Sequence, residues 1–321
     1  MSEQRDRVYI GVDTSNYTTS LALVDDRLNV LASLRRLLPV GEGERGLRQS
    51  EALFTHTKQL PELWDALSPY LAGREIGGIG VSSRPRNQNG SYMPCFLAGV
   101  SAATAAATAM QLPLSVVSHQ CGHIMAALVS AQRADLAESC FTAYHVSGGT
   151  TELLSVRPSG DGAFLCEIVG GTRDISAGQL IDRVGVALGL SFPAGPALEA
   201  LAASFTGKVR RRRPSVSECR VNLSGIENLA LSLYRETGDA AHTAAFVLTH
   251  IRDALSEIVS AYFAEHGETP LLCAGGVMSA KMLREEMERR FSAFTAEPAL
   301  SSDNAVGVAA LAARRAGKGI V

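Results

Sequence analysis

Hydrophobic and polar positions follow two different periods along this chain, and the switches between them outline its elements. Residues 8–12 form a short apolar run that ends in Asp13-Thr14-Ser15-Asn16, residues 20–24 form the return, and residues 29–34 follow the polar turn Asp25-Asp26-Arg27. Apolar runs bounded by such turns predict a three-stranded meander, and its first turn carries hydroxyls and one carboxylate. The period then lengthens. Leu53, Leu60, Leu63, Trp64 and Leu67 stand near helical spacing over 50–71, a helix that Pro61 and Pro69 are expected to interrupt. Residues 76–81 (Ile-Gly-Gly-Ile-Gly-Val) read as a buried strand, although their glycines equally fit a close backbone approach. A polar loop over 82–92, an Ala-rich helix over 94–110, a strand over 114–117 and a helix opening at His119 follow. Strand and helix in repeated succession predict parallel α/β organisation.

The second half repeats the opening. Strand 141–146, the turn Ser147-Gly148-Gly149-Thr150-Thr151-Glu152 and strand 153–156 have the shape of the first hairpin about 135 residues later, which points to a duplicated core. An amphipathic helix over 176–190 contains Asp182. Helical stretches at 197–205 and 229–234 flank the basic run Lys-Val-Arg-Arg-Arg-Arg at 208–213, and a long helix spans 242–266. Strand 271–274 ends in Gly275-Gly276-Val277 ahead of a helix over 280–291, and Asp303 stands at the N-cap of a final apolar helix over 305–316.

Composition narrows this picture. A chain of 321 residues exceeds the usual size of one hydrophobic core, and 46% hydrophobic residues leave ample material for two lobes. The net charge of −2 gives no global attraction to nucleic acid, so any such binding must come from a local patch, and 208–213 is the one candidate. A run of this kind fits a solvated loop as well as a phosphate-binding patch. The six cysteines, at 95, 121, 140, 166, 219 and 273, show no CxxC spacing and read as reduced thiols of a cytoplasmic protein. No apolar signal core opens the chain, and the small-residue run 96–110 falls short of a membrane span. A soluble protein without membrane attachment is expected.

Several positions could carry chemistry. His119 and His123 are four residues apart, so in a helix their imidazoles share a face and could hold one divalent ion. The same spacing serves packing or capping histidines, and without Glu after His119 it is not the HExxH pattern of zinc peptidases. Glycines in the 147–151 turn would let backbone N–H groups approach a phosphate, as an ordinary hairpin turn would also allow. A strand, Gly275-Gly276 and a helix N-terminus suit a nucleotide. Arg84 and Arg86 share their loop with three amides, a composition for an anion, a base edge or a plain surface. His242, His250 and His266 share no ligand spacing and read as structural.

The order of these motifs resembles one family. Gly11-Val12-Asp13-Thr14-Ser15, His119-Gln120-Cys121-Gly122-His123, Val146-Ser147-Gly148-Gly149-Thr150-Thr151, Ala177-Gly178-Gln179-Leu180-Ile181-Asp182, Gly195-Pro196-Ala197-Leu198, Leu223-Ser224-Gly225, Gly275-Gly276-Val277 and Ser302-Asp303-Asn304 are similar, nearly end to end, to the TsaD (Gcp) family. That family transfers a threonylcarbamoyl group to adenosine in tRNA. The resemblance implies the α/β fold of actin, sugar kinases and heat-shock chaperones, two ribonuclease-H-like lobes with a ligand cleft between them. An N-terminal lobe over 1–117, with the helix from about 303 to 321 packing back on it, would precede a C-terminal lobe over 118–302 with a helical insertion over about 196–266. It implies one divalent metal, iron or zinc, on His119, His123 and Asp303, with His145 at a place where some members carry Tyr. It also implies ATP or an adenylate held by Ser147, Gly148, Gly149, Thr150, Thr151, Asp182, Gly195, Gly275 and Gly276. Asp13, Ser15, Arg84 and Arg86 would form a substrate loop. The implied partners are the nucleotide, tRNA, and a TsaB-like subunit or a second copy of the chain.

The departures from the family pattern are specific. Arg84-Pro85-Arg86 replaces Gly-Pro-Gly, Gln179 replaces Glu, Ala280 replaces an Asn that contacts nucleotide, and a paired Asp-Asp is reduced to Asp174 followed by Ile175. Ligand positions are kept while substrate-side groups differ, the pattern of a divergent paralogue. Two functions stay open: a transferase moving a carbamoyl or threonylcarbamoyl group from an adenylate to an acceptor amine, and a non-catalytic ATP-binding scaffold or regulatory subunit. Peptidase chemistry is the weakest reading, since neither a general base in helix register nor a Ser-His-Asp set is legible.

Overall fold

The computed structural model describes residues 6–15, 17–39, 47–88, 90–297 and 304–320. They divide into two compact units. The first comprises residues 1–138, 157–165 and 299–321, the second 139–156 and 166–298.

In the first unit, β1 (Arg7–Ser15) pairs antiparallel with β2 (Thr18–Asp25), which pairs antiparallel with β3 (Val30–Leu37). On its other side β1 runs parallel to β4 (Glu75–Arg84), and β4 parallel to β5 (Leu114–Ser118), for a sheet order β3-β2-β1-β4-β5. Both faces of β1 are buried, and its alternation sorts them. Val8, Ile10 and Val12 join Leu60, Leu63 and Leu67 of α1 (Gln49–Leu71) and Ala98, Ala103 and Ala107 of α2 (Phe96–Met110). Tyr9 instead joins Ala305, Ala309 and Ala312 of α9 (Asn304–Gly317). Gly11 lies on that second face because a Cβ there would collide with the Ala305 carbonyl, and Gly80 of β4 faces Val308 in the same way. The glycines of 76–81 therefore mark a close backbone approach within a strand that forms nonetheless.

α1 is continuous through Pro61 and Pro69, contrary to the expected interruption. Both prolines are exposed, so water can serve the carbonyls their missing N–H groups leave, while the leucine stripe stays on the sheet. α3 (His119–Ser130) also belongs to this unit, so the unit runs to Glu138 where the sequence placed a boundary at 117. The reason is its packing on α9. A Cβ on Gly307 would meet the backbone of Gly122 and Ala126, so two glycines let the helices touch.

The second unit has the sheet order β11-β10-β6-β7-β8-β9, where β6 is Phe141–Val146, β7 Thr151–Pro158, β8 Phe164–Thr172, β9 Arg220–Val221, β10 Leu271–Ala274 and β11 Phe294–Thr295. β8 was not legible, because its burial follows no clean alternation and it ends in Gly170-Gly171. Tyr144, Val146, Leu153, Leu271 and Cys273 meet a helical layer in one core. That layer comprises α4 (Ala177–Ala187), α5 (Gly195–Ala203), α6 (Ser224–Thr237), α7 (Ala240–His266) and α8 (Lys281–Phe291). α6 is longer than the expected 229–234 because Asp174 fixes its start, accepting from Leu223 N at 2.8 Å and Ser224 N at 3.0 Å. His250 is buried, donating from Nδ1 to Phe246 O at 2.8 Å, and His242 stacks on Phe205. Burial pushes the Cys95 thiol up to about 11 and the Cys273 thiol up to about 12. Among the described residues, no helix is long and apolar enough to cross a membrane.

Candidate functional site

The histidine pair stands at the start of α3. Ser118 caps this helix, its side chain accepting from Cys121 N at 3.2 Å, so His119 and His123 occupy the first and second turns. Helical register brings their Nε2 atoms to 2.9 Å, with ring centroids 4.3 Å apart and planes at 77°. Behind the pair lies Asp13, which the sequence assigned to a substrate loop. It is fully buried and occupied by other groups: its Oδ1 accepts from His119 Nδ1 at 2.9 Å, from Asn304 Nδ2 at 2.7 Å and from the Ser82 hydroxyl. Burial alone would push this carboxyl up, but His119 beside it and the donors on Ser82 and Asn304 hold it well below the usual carboxylate range. Ser82 and Asn304 were missed as functional residues. Asn304 is quoted within a motif, yet nothing local signals that it meets Asp13, a residue at the other end of the chain.

The donor set suits a divalent metal. With Nδ1 turned to Asp13, His119 presents Nε2 toward His123, the arrangement in which a carboxylate orients a metal-binding imidazole. Two nitrogens each about 2.0–2.1 Å from a common tetrahedral ion would stand about 3.3–3.4 Å apart; the pair stands at 2.9 Å, a hydrogen-bond distance that a few tenths of an ångström of ring movement would open to that span. Asp13 Oδ2 is buried and has no hydrogen-bond partner among the described residues. Among those residues no third His, Cys, Asp or Glu completes a ligand set. Asp303, the expected third ligand, lies outside them. His145 belongs to the second unit, on the face of β6 opposite Tyr144, whose ring is buried in the core.

The arginine loop adjoins the histidines in the first unit. Arg84 closes β4 in register with Ser118, and Pro85 O accepts from Gln120 N at 3.0 Å. Arg84 donates to Asn87 Oδ1 at 2.5 Å, Arg86 N donates to Ser91 Oγ at 3.0 Å, and Asn87 Nδ2 donates to Phe164 O at 3.4 Å. Much of the loop's polarity thus holds the loop itself. Ser15, at the end of β1, is half-buried.

In the second unit, Ala274 of β10 pairs with His145 of β6, so the Gly275-Gly276 turn and the 147–151 turn leave the sheet side by side at the carboxyl ends of parallel strands. Such strand ends are where open α/β sheets receive ligands. Gly275 has φ 102°, and a Cβ on it would meet Val146 O, so only glycine fits there. Gly148 and Gly149 are exposed, and a Cβ on either would meet nothing within 4 Å. Ser147 N donates to Thr150 O at 2.8 Å and so closes the turn. Thr151 is buried, its hydroxyl accepting from Ala177 N at 2.9 Å, and it anchors α4 rather than the turn's open edge.

α4 supports that turn from behind. Ser176 donates to Gly148 O at 2.7 Å, and Gly178 lets the turn approach, since a Cβ on it would overlap Gly148 and Ser147. Ser176 and Gln179 form a capping box, with Gln179 N donating to Ser176 Oγ at 3.0 Å and Ser176 N to Gln179 Oε1 at 3.1 Å. Gln179 is therefore the reciprocal partner in this capping box, a structural task. Asp182 accepts from Ala194 N at 2.8 Å and fixes the entry to α5, which Gly195 opens. Ala280 is the N-cap of α8 and offers it no side-chain bond; Glu199 of α5 accepts from Lys281 N at 2.6 Å instead.

The comparisons with known proteins agree in direction. A family model described as TsaD, tRNA N6-adenosine threonylcarbamoyltransferase, matches residues 49–310. The tRNA N6-adenosine threonylcarbamoyltransferase of Enterococcus faecalis is 31% identical over 297 residues, which are 89% of this chain and 82% of that protein. The protein of that name from Dehalococcoides mccartyi is 29% identical over 309 residues, 94% and 91% of the two chains. Among solved structures, full-length HypF in its phosphate- and nucleotide-bound form has a TM-score of 0.60 at 12% identity, over 97% of this chain and 56% of that one. Component A of the Acidaminococcus fermentans (R)-2-hydroxyglutaryl-CoA dehydratase has a TM-score of 0.55 at 14% identity, over 97% and 99%. These likenesses bear on the fold, which is the α/β fold of actin, sugar kinases and HypF with two mixed sheets. By the family model and the identity to its relatives over most of their length, the chain belongs to the tRNA N6-adenosine threonylcarbamoyltransferase family.

Proposed function

We propose that this chain is a metal- and nucleotide-binding transferase that moves a threonylcarbamoyl group, or a simpler carbamoyl group, from an adenylate to the N6 amine of a tRNA adenosine. The observation that carries the reading is the pair of Nε2 atoms 2.9 Å apart on His119 and His123, with buried Asp13 behind His119 Nδ1. His119 and His123 would hold iron or zinc, with Asp303 as a further ligand. A bound divalent ion supplies Lewis-acid polarisation of an acyl or phosphoryl oxygen. Asp13 keeps His119 in one tautomer and one orientation. In the second unit, the backbone at Gly148 and Gly149 would donate to the phosphate charge of the adenylate, and Gly275-Gly276 would receive its nucleoside. Ser176, Gly178 and Thr151 keep the phosphate-side turn in place, and Asp182 does the same for the approach to Gly195.

Purified protein is expected to retain about one equivalent of iron or zinc per chain, and His119→Ala and His123→Ala to lose it. Supplied with threonylcarbamoyl-adenylate, the loaded protein should modify an unmodified tRNA transcript, read by mass spectrometry of its nucleosides. A chain that binds ADP but modifies no tRNA, alone or in a strain lacking the transferase, would instead be the scaffold. The Ala280 and Glu199 arrangement at α8 is the observation that favours that second reading.

A further inference from the structure

The basic run 208–213 lies in the second unit as irregular chain between α5 and β9, and it is tied to one stripe of α7. Arg211 makes a paired contact with Asp253 at 2.9 and 2.7 Å, Arg212 N donates to His250 Nε2 at 3.2 Å, and Arg213 lies 3.8 Å from Glu257. Positions 250, 253 and 257 are spaced i, i+3, i+7, which is one face of a helix. His250 can serve as acceptor because its Nδ1 proton is donated to Phe246 O, and burial lowers its tendency to protonate.

This anchoring sorts the arginines by alternation. Arg211 and Arg213 turn to the carboxylates of α7. Arg210 and Arg212 have no acidic partner among the described residues, and both are exposed. Arg212 lines two cavities, of about 640 Å³ and about 610 Å³, with Arg213 in the wall of the first and Arg210 and Arg211 in that of the second; the two share Arg212, Leu229 and Ser232 and so adjoin as one groove between the run and α6. The far wall is Ile226, Leu229 and Leu233 of α6, with Leu229 39% exposed. Arg235, Asn222 and Asn228 add a cation and two amides, and Glu236 is the one carboxylate.

Each cavity alone is within the roughly 300–1,000 Å³ that one small molecule fills, but the two run on past Arg212, Leu229 and Ser232, a shape that fits an extended polymer. Its chemistry narrows the polymer. Guanidinium groups without carboxylate partners bind phosphate in paired geometry, amides read base edges, and apolar or guanidinium faces accept unstacked bases. An acidic peptide would use the cations but has neither base edges for the amides to read nor planar bases for the guanidinium faces and the exposed leucine. The chain as a whole carries a charge of −2, so its hold on a polyanion must be local.

We infer that the groove between residues 208–213 and α6 grips the sugar-phosphate backbone of the acceptor RNA through Arg210 and Arg212, at residues other than those of the nucleotide turns. This rests on the reading above that the acceptor is tRNA. The test is binding of a fluorescently labelled, unmodified tRNA transcript to the full-length, metal-loaded protein across a salt series. The Arg210→Ala/Arg212→Ala double variant should bind at least about tenfold more weakly near 0.1 M salt, with the log–log salt slope reduced by about two, while ADP binding stays unchanged. The double Lys variant, which keeps the charge, should recover most of the slope. Arg7→Ala, which removes an exposed arginine from the first unit, should match wild type, and circular dichroism confirms that each variant is folded. If wild type binds tRNA and the double Ala variant keeps its affinity and slope, the groove assignment is overturned while the acceptor reading stands. If Arg7→Ala weakens binding equally, or poly-glutamate competes as well as RNA, the groove assignment is likewise overturned. If wild type binds ADP and metal but no tRNA, the acceptor reading fails and takes the groove with it.

Discussion

Two hairpins of this chain, β1–β2 in the first unit and β6–β7 in the second, look alike in sequence and do opposite things. The Asp13-Thr14-Ser15 segment that reads as a turn is the last part of β1, paired with Thr18 to Ser20. At the end of β1, Asp13 is fully buried and its Oδ1 takes donors from β4, α3 and α9. The turn after β6 keeps its polar support behind it, in Ser176, Gly178 and Thr151, and leaves Gly148 and Gly149 exposed. The first hairpin carries, in its strand, a closed knot that orients a histidine; the second ends in an open edge of backbone. Duplicating a strand, turn and strand repeats a scaffold, while the side chains at the end of its first strand decide whether the hairpin meets a ligand or positions what does.

The largest effect should come from opening the knot. Asp13→Ala leaves the donors of His119, Asn304 and Ser82 facing a void, and removing one partner of a buried pair costs about 3–5 kcal/mol. Metal affinity should fall about 10- to 100-fold even with both ligand histidines intact, as when the carboxylate behind a metal-binding imidazole is lost. Ser147→Ala in the turn of the other hairpin should change stability by no more than about 0.5 kcal/mol. Urea midpoints and metal content after dialysis read both; equal losses from the two variants would dissolve the contrast.

An intermediate effect separates the open edge from its support. A Cβ at Gly178 overlaps the backbone of Gly148 and Ser147, so Gly178→Ala should cost about 1–3 kcal/mol through overpacking. A Cβ at Gly148 meets nothing within 4 Å, so Gly148→Ala should stay within about 0.5 kcal/mol of wild type. ADP affinity, measured by calorimetry, should fall in both variants. Stability loss from Gly148→Ala equal to that from Gly178→Ala would mean the edge is packed after all.

These contrasts also mark what the sequence could show. Apolar periods gave away nearly every long element, because a strand buried on two faces or a helix on a sheet must repeat its hydrophobic residues at 2.0 or 3.6. They misjudged α1, where Pro61 and Pro69 fall on the solvent face, and they missed β8, which lacks a clean period. The i, i+4 pair at His119 and the Ser176-x-x-Gln179 box were local patterns and so within reach. The role of Asp13 was not. Its partners Ser82, His119 and Asn304 stand 69, 106 and 291 residues along the chain, and only the packing of α9 on β1 and α3 brings them together. The alternation of Arg210 to Arg213 was equally hidden, since the carboxylates that sort them lie on α7.

The smallest effect concerns the second unit's own carboxylate knot, a weaker counterpart of Asp13. Asp174 accepts from Ile175 N, Leu223 N, Ser224 N and the Ser224 hydroxyl, and so pins the start of α6 beside the loop that leads to Ser176. Burial pushes this carboxyl up, yet the Ser224 hydroxyl and the three backbone donors outweigh it and hold the group below its ordinary value. The folded state therefore releases the Asp174 proton more readily than the unfolded state, whose carboxyl titrates near about 3.9. The stability this gives is complete above the unfolded value and is lost as the pH falls through the folded one. Asp174→Ala should cost about 1–2 kcal/mol at pH 7, as loss of a helix cap does, and the gap to wild type should narrow on acidification below about pH 4. Urea titrations of both proteins at pH 7, 5 and 3.5 decide it. A gap that stays constant over that range would assign the cost of Asp174→Ala to lost packing rather than to its charge.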